Sequence, residues 1–163
     1  MIKNFNELVE KLKVGENKTA VVAGAHTGTA IDAAIMALEE NIANSILVGD
    51  ADYIKRYLND NKPELADKFE IVDTGQDLGL AARKAVELAK EGRAGIILKG
   101  KTDTALLLRA VLDKESGLRS GDVMSDVLAY ETPERIVLMG DGGFVDLGGR
   151  RIIRSEEHTS ELQ

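Results

Sequence analysis

Apolar and polar positions along this chain alternate between a helical and a strand period. "NFNELVEKLK" puts Phe5, Leu8, Val9 and Leu12 on one helical face, with Asn4 where an N-cap belongs. "TAVVAGA" is a short apolar run and predicts a buried strand. "TGTAIDAAIMALEENI" predicts an Ala-rich helix, "SILVGD" a strand ending in Gly-Asp, and "DADYIKRYLND" a helix capped by Asp50. Pro63 breaks the pattern. "FEIVDTG" then predicts a strand, and "QDLGLAARKAVELAKEG" a helix stopped at Gly92. "GIILKG" predicts a buried strand, and "DTALLLRAVLDKESG" a helix ending near Gly117. "VMSDVLAYE" and "RIVLMGD" predict two more strands.

Short apolar strands separated by longer helices imply parallel βαβ units. The expected fold is therefore α/β, in three α/β/α layers, with a mostly parallel sheet and helices on both faces. Ligands in such sheets bind at the carboxyl ends of strands. Several strand ends carry small or polar residues: Gly24 to Thr29, Gly49 and Asp50, Lys99 to Thr104, and Gly140 to Gly143.

Composition narrows the partners. The chain has 163 residues, enough for a domain with a real core, and no Trp, so that core must be aliphatic. The net charge of −7 argues against nucleic acid, because phosphate backbones need clustered Lys and Arg. A small anion is still compatible, since a local site can be positive on a negative protein. There are no cysteines, which excludes disulfides, zinc thiolate sites and Cys nucleophiles. No run reaches membrane-spanning length and the N-terminus lacks a signal-peptide pattern, so a cytoplasmic protein with no membrane partner is expected.

"GIILKGKT", Gly95 to Thr102, matches the phosphate-loop pattern G-x-x-x-x-G-K-[ST] at every fixed position. A true phosphate loop places its four variable residues in an open loop whose N–H groups wrap the phosphates. Here those residues are Ile96, Ile97, Leu98 and Lys99, which favour a strand. The expected reading is that Gly95 opens the strand and Gly100 closes it. Lys99, Gly100, Thr102 and Thr104 then surround a helix N-terminus, where backbone donors and the dipole favour an anion. Arg119 and Ser125 are candidate further donors. The plainer alternative is that Thr102 or Asp103 merely caps the helix. A nucleotide-binding protein is the competing enzyme class.

Other chemistry is thin. His26, in "AGAHTGTA", could serve as a base near neutral pH, but a single loop histidine is more often not catalytic. Gly24 and Gly28 do not complete the dinucleotide pattern. No pair of histidines has metal-ligand spacing, so no metal is expected. "ESGLRSGDVMS" sets glycines, hydroxyls and Arg119 between a helix and a strand, a composition suited to oxyanion or phosphate contact or simply to a solvated turn.

"SILVGD", "KG" followed by Thr104, "LLRAVLDKESGLRSG" and "MSDVLAYET" together resemble the phosphate butyryltransferase and phosphate acetyltransferase family, in order and with few gaps from about Met1 to Gly143. "KESGLRSG" followed by "MS" is the most specific part. The resemblance implies transfer of an acyl group between coenzyme A and inorganic phosphate, with coenzyme A as a substrate and no permanently bound cofactor. It implies a fold similar to isocitrate dehydrogenase, two α/β domains around a cleft, and a full-length homo-oligomer. Lys99, Gly100 and Thr104 match the family's strand-end loop. Gly117, Leu118, Arg119, Gly121 and Ser125 match its second loop. Lys101 and Thr102 depart from the family, which has apolar residues there, and Asp126 stands where His is expected.

At about half the family's usual length, residues 1–143 read as an incomplete first domain, with the catalytic base in the other half. Residues 144–153 read as a junction of uncertain origin. "RSEEHTSELQ", residues 154–163, resembles the translation of a sequencing-library adapter, so His158 carries no functional weight. Such a piece would be inactive alone, with an exposed sheet edge.

Overall fold

The computed structural model describes residues 2–15, 18–119, 127–140, 143–146 and 151–153. Its elements in chain order are α1 (Phe5–Lys13), β1 (Lys18–Ala23), α2 (Gly28–Glu39), β2 (Ala43–Gly49), α3 (Ala51–Asn61), a 3-10 turn (Pro63–Lys68), β3 (Glu70–Asp73), α4 (Leu78–Lys90), β4 (Ile96–Lys99) and α5 (Thr104–Val111), then β5 (Val127–Glu131), β6 (Ile136–Gly140), β7 (Gly143–Asp146) and β8 (Arg151–Ile153). Two compact units form: Glu16–Ser120, and Met1–Gly15 together with Gly121–Gln163.

The larger unit is the expected parallel sheet, in the order β3-β2-β1-β4. β1 registers Val21 against Ile46 of β2 and against Ile97 of β4. Both faces of the central strands are covered, as parallel strands require. On one face Val22 and Leu47 pack with Ile31, Ala34 and Ile35 of α2 and with Ile54 and Leu58 of α3. On the other, Val21, Ala23, Ile46 and Val48 pack with Ala81, Ala85 and Leu88 of α4. Leu47, Ile31, Ile54 and Leu58 are fully buried, and each such side chain stabilises the fold by about 1.5–3 kcal/mol. Small alanines on α4 let that helix lie close to the sheet. The three-layer α/β expectation holds for this unit.

The helix ends follow their local chemistry. Asp50 caps α3, its Oδ1 accepting from the N–H groups of Asp52 at 3.1 Å and Tyr53 at 3.0 Å. Asp77 caps α4 and Asp103 caps α5 in the same way. Gly92 takes the left-handed conformation at φ 75° and closes α4 with a bond from Arg93 N–H to the Leu88 carbonyl.

Two expectations need correction. α5 ends at Val111 and does not run on to Gly117. Asp113 stops it: its Oδ1 accepts from the Ser116 and Glu115 N–H groups and the Ser116 hydroxyl, a local turn that competes with the helix. β4 is a strand, as expected, but it is not buried. It pairs with β1 and lies at the end of the strand order. Ile96 is 43% exposed and Leu98 38%, and only Ile97 joins the packed cluster under α4.

The smaller unit contains α1, whose Asn4 side chain accepts from Glu7 N–H at 2.8 Å as the sequence predicts. Within this unit the Phe5 N–H donates to Glu131 of β5 at 2.7 Å. Strands β5 to β8 form an antiparallel sheet in sequential order. The two strands expected near the end of the chain are thus present, but as a hairpin and not as further parallel strands. The reason is the short link, residues 132–135. A turn that short can join only antiparallel neighbours. Thr132 closes it, its hydroxyl donating to the Arg135 carbonyl at 2.8 Å.

Candidate anion site at the strand ends

The order β3-β2-β1-β4 reverses direction at β1: the chain leaves β1 toward β2 and β3, then returns to β4 on the other side. The carboxyl ends of β1 and β4 therefore flank the switch point, where open α/β sheets place ligands. The turns after these strands are residues 24–27 and 100–103.

The two turns are bonded to each other. Gly100 N–H donates to the Ala23 carbonyl at 2.9 Å, and Lys101 N–H to the Gly24 carbonyl at 2.9 Å. The Thr102 hydroxyl, fully buried, also donates to the Ala23 carbonyl at 2.9 Å. The fit is tight on both sides. A Cβ on Gly100 would lie 2.3 Å from the Gly24 carbonyl oxygen, and one on Gly24 would lie 2.4 Å from the Thr102 Oγ1. Gly24 also has φ +81°, which only glycine adopts without strain.

This geometry removes the nucleotide reading of "GIILKGKT". Ile96, Ile97 and Leu98 are paired with Ala20, Val21 and Val22 of β1, so they form no loop. Gly95 N–H donates to the Thr19 carbonyl, which extends that pairing. The N–H groups of Gly100 and Lys101 are spent on the carbonyls of Ala23, at the end of β1, and Gly24, just after it. Asp103 puts a carboxylate at the N-terminus of α5, its Oδ1 accepting from Ala105 N–H at 2.7 Å. A phosphate would meet a negative charge where the motif needs free donors. Of the two capping candidates, Asp103 caps the helix and Thr102 does not.

The expected site residues separate under the same scrutiny. Lys99 ends β4 with an exposed side chain, its Nζ 3.4 Å from the Thr102 carbonyl. Thr104 opens α5 and is exposed. Gly100 lies between them, but the group it admits is the Gly24 peptide and not a ligand, because its missing Cβ is filled from that side. Arg119 is exposed and follows Leu118, whose N–H bonds to the Val111 carbonyl at the far end of α5. Eight helical residues put about 12 Å between that end and Thr104. The backbone at Arg119 is therefore not brought to the Lys99 turn. Ser125, Gly121 and Asp126 lie outside the described residues, as do residues 154–163.

Sequence reasoning missed the Thr102 bond, and its signal was faint: a Thr beside a better cap, facing a glycine far along the chain. It also left His26 open. His26 is buried, and its Nε2 lies 2.8 Å from the Gly75 carbonyl, which fixes Nε2 as the donor. Its Nδ1 is buried without a partner among the described residues, beside Gly49. His26 thus ties the turn after β1 to the turn after β3. Asp50 and Asp73 stand at the same rim. The Tyr53 N–H holds the Asp50 carboxyl below its ordinary range, and the Gly75 N–H does the same for Asp73.

Two grooves, about 470 and 210 Å³, run along α4 and α5 and share Arg83, Ala110 and Ser116. Neither includes Lys99, Gly100 or Thr104. The candidate site is an open rim and not part of those grooves. Among the described residues no cluster of His, Asp and Glu is placed to hold a metal, and no helix is long and apolar enough to cross a membrane.

This fold has a counterpart among solved structures, and that counterpart is named as a phosphotransacylase. The crystal structure of a branched-chain phosphotransacylase from Enterococcus faecalis V583 superimposes with a TM-score of 0.58 at 23% identity, covering 76% of this chain and 42% of that one. That likeness shows the fold. Sequence relatives are more specific. The chain is 41% identical over 146 residues to the phosphate butyryltransferase of Clostridium acetobutylicum, covering 88% of this chain and 48% of that protein. It is 30% identical over 143 residues to the phosphate acetyltransferase of Thermotoga maritima, covering 86% and 48%. The resemblance read from the motifs is therefore real: along most of its length the chain is homologous to phosphate butyryltransferases and phosphate acetyltransferases. It spans about half the length of the curated relatives it matches. No protein-family model matches the chain.

Proposed function

We propose that the chain is part of a phosphate acyltransferase that moves a short acyl group, butyryl or acetyl, between coenzyme A and inorganic phosphate. The observation that carries this reading is the 41% identity to a phosphate butyryltransferase over 88% of the chain. The switch-point rim supports it, because that is where the fold exposes an ammonium and a hydroxyl. In this reading Lys99 and Thr104 face the phosphate. Arg119 and Ser125 contribute from the following segment, and Gly100 sets the turn. The chemistry is attack of a phosphate oxygen on the thioester carbonyl. The C–O bond forms, the C–S bond breaks, and coenzyme A leaves as its thiol or thiolate. Positioning and charge stabilisation supply the rate. The catalytic base comes from residues beyond those described.

The same reading makes the working protein a cytoplasmic homo-oligomer, with acyl-CoA and phosphate as substrates and no nucleic-acid or membrane partner. Residues 1–143 contribute one incomplete domain, 144–153 a junction, and 154–163 an adapter-derived tail. In this reading the 163-residue chain alone is expected to be inactive. A chain completed to the length of its relatives is expected to release the coenzyme A thiol from butyryl- or acetyl-CoA only when phosphate is added. Absence of phosphate-dependent thiol release with every short acyl chain tried would sink the reading.

A further inference from the structure

We propose that Thr102 is a positioning residue whose hydroxyl sets where the Lys99 ammonium stands. This rests on the phosphate reading given above. Thr102 is the residue that completes the accidental nucleotide motif.

The geometry points to a latch. The Ala23 carbonyl accepts twice, from Gly100 N–H and from the Thr102 hydroxyl, both at 2.9 Å. The Gly24 carbonyl also accepts twice, from His26 N–H at 2.8 Å and Lys101 N–H at 2.9 Å. A carbonyl has two lone pairs, so both are fully used. The Gly100, Lys101 and His26 N–H groups and the Thr102 hydroxyl are all spent in these bonds, so none of the four is left to hold an anion in the crevice between β1 and β4. Around the buried Thr102 the turn exposes the side chains of Lys99, Lys101, Asp103 and Thr104, and of the two ammoniums it is that of Lys99 that meets the Thr102 carbonyl. The hydroxyl pins Thr102 from within, and the carbonyl of this buried residue lies 3.4 Å from Lys99 Nζ. Free of that pin, the turn would keep its two backbone bonds and lose the one that fixes this carbonyl. The Lys99 side chain is long and flexible, and its contact with that carbonyl is what confines it. Gly24 completes the arrangement, since any side chain there would occupy the position of the Thr102 Oγ1.

The test uses the chain as it stands. Binding of inorganic phosphate is read by equilibrium dialysis, and amide exchange at Gly100 and Lys101 by NMR. Thr102→Val keeps the shape and removes the donor. It is expected to speed exchange at both amides and to weaken phosphate binding by about 3- to 10-fold, the scale of one lost hydrogen bond. Thr102→Ser keeps the hydroxyl and restores both readouts. In a Lys99→Met background, Thr102→Val weakens binding no further, as expected when one residue acts through the other. Unchanged exchange in Thr102→Val overturns the latch. Faster exchange with unaltered binding, or with a loss that adds in full to that of Lys99→Met, overturns the positioning role. Equal binding by the unaltered chain and Lys99→Met, or none by either, overturns the phosphate reading and the positioning role with it. Exchange then still decides whether the latch exists.

Discussion

β1 and β4 look alike in sequence and differ in fate. "TAVVA" and "GIIL" are both short, apolar and rich in β-branched residues. In the sheet, Val21, Val22 and Ala23 are at most 1% exposed, while Ile96 and Leu98 on β4 are 43% and 38% exposed. The difference is one of neighbours. β1 has a strand on each side and helices on each face. β4 has β1 on one side, and the cluster formed by α2 and α3 includes none of its residues. Apolarity made both segments strands. It did not decide which would be covered. The ends differ as well: β2 is followed by Asp50 and the opposite outer strand β3 ends in Asp73, carboxylates held by backbone N–H groups, whereas β4 ends in an ammonium whose one described contact is a long one to a carbonyl.

The largest expected effect lies on the interior side. Leu47→Ala in β2 empties a fully buried position and should destabilise the chain by about 2–5 kcal/mol. Ile96→Ala on β4 removes a side chain already 43% exposed and should cost well under half as much. Urea unfolding of both variants, compared at their midpoints, checks this. Equal losses would mean that β4 is as well packed as β1.

An intermediate effect is expected where the two strands meet. Gly24→Ala forces a left-handed backbone onto a residue with a Cβ and drives that carbon against Thr102. Overpacking of this kind costs about 1–3 kcal/mol. Thermal melting of Gly24→Ala in the unaltered chain and in a Thr102→Ala background separates the two causes. A smaller loss is expected in the second background, because Thr102→Ala removes the Oγ1 that the new Cβ would strike but not the backbone strain. No loss in that background would assign the whole effect to the contact.

How much of this was legible beforehand can be argued from the same residues. Capping by Asn4 and Asp50, and the stop at Gly92, depend on chemistry within a few residues, and the sequence shows them directly. The position of β4 at the sheet edge depends on where helices far along the chain come to rest, and no local pattern encodes that. The early end of α5 was partly visible. "LDKES" holds an Asp three residues before a Ser, a turn signal that competed with good helix formers and won. At the site, the space beside Gly100 is filled by the Gly24 peptide, 76 positions earlier (100 − 24), a contact that no local pattern encodes. The resemblance to acyltransferases came through short motifs whose meaning is chemical, and it survived comparison with whole relatives.

The smallest effect expected is in acid, and it falls on the ends of β2 and β3. Asp50 and Asp73 have carboxyls held below their ordinary range by backbone N–H bonds, and Asp113, after α5, is held down in the same way by Ser116. In the unfolded chain these groups regain an ordinary value of about 4. Between the lowered native value and that ordinary one, the unfolded chain binds more protons than the folded one, so stability rises with pH there. The stabilisation is complete above the unfolded value and is lost as pH falls through the native values. Melting temperature measured downward from pH 6 should hold steady and then drop below about pH 4. Asp50→Asn and Asp73→Asn each remove one titrating group, so each should make that drop shallower. Lys99→Met should leave its slope unchanged, because it removes no carboxylate. A Lys99→Met variant that flattened the acid limb would erase the distinction between the two kinds of strand end.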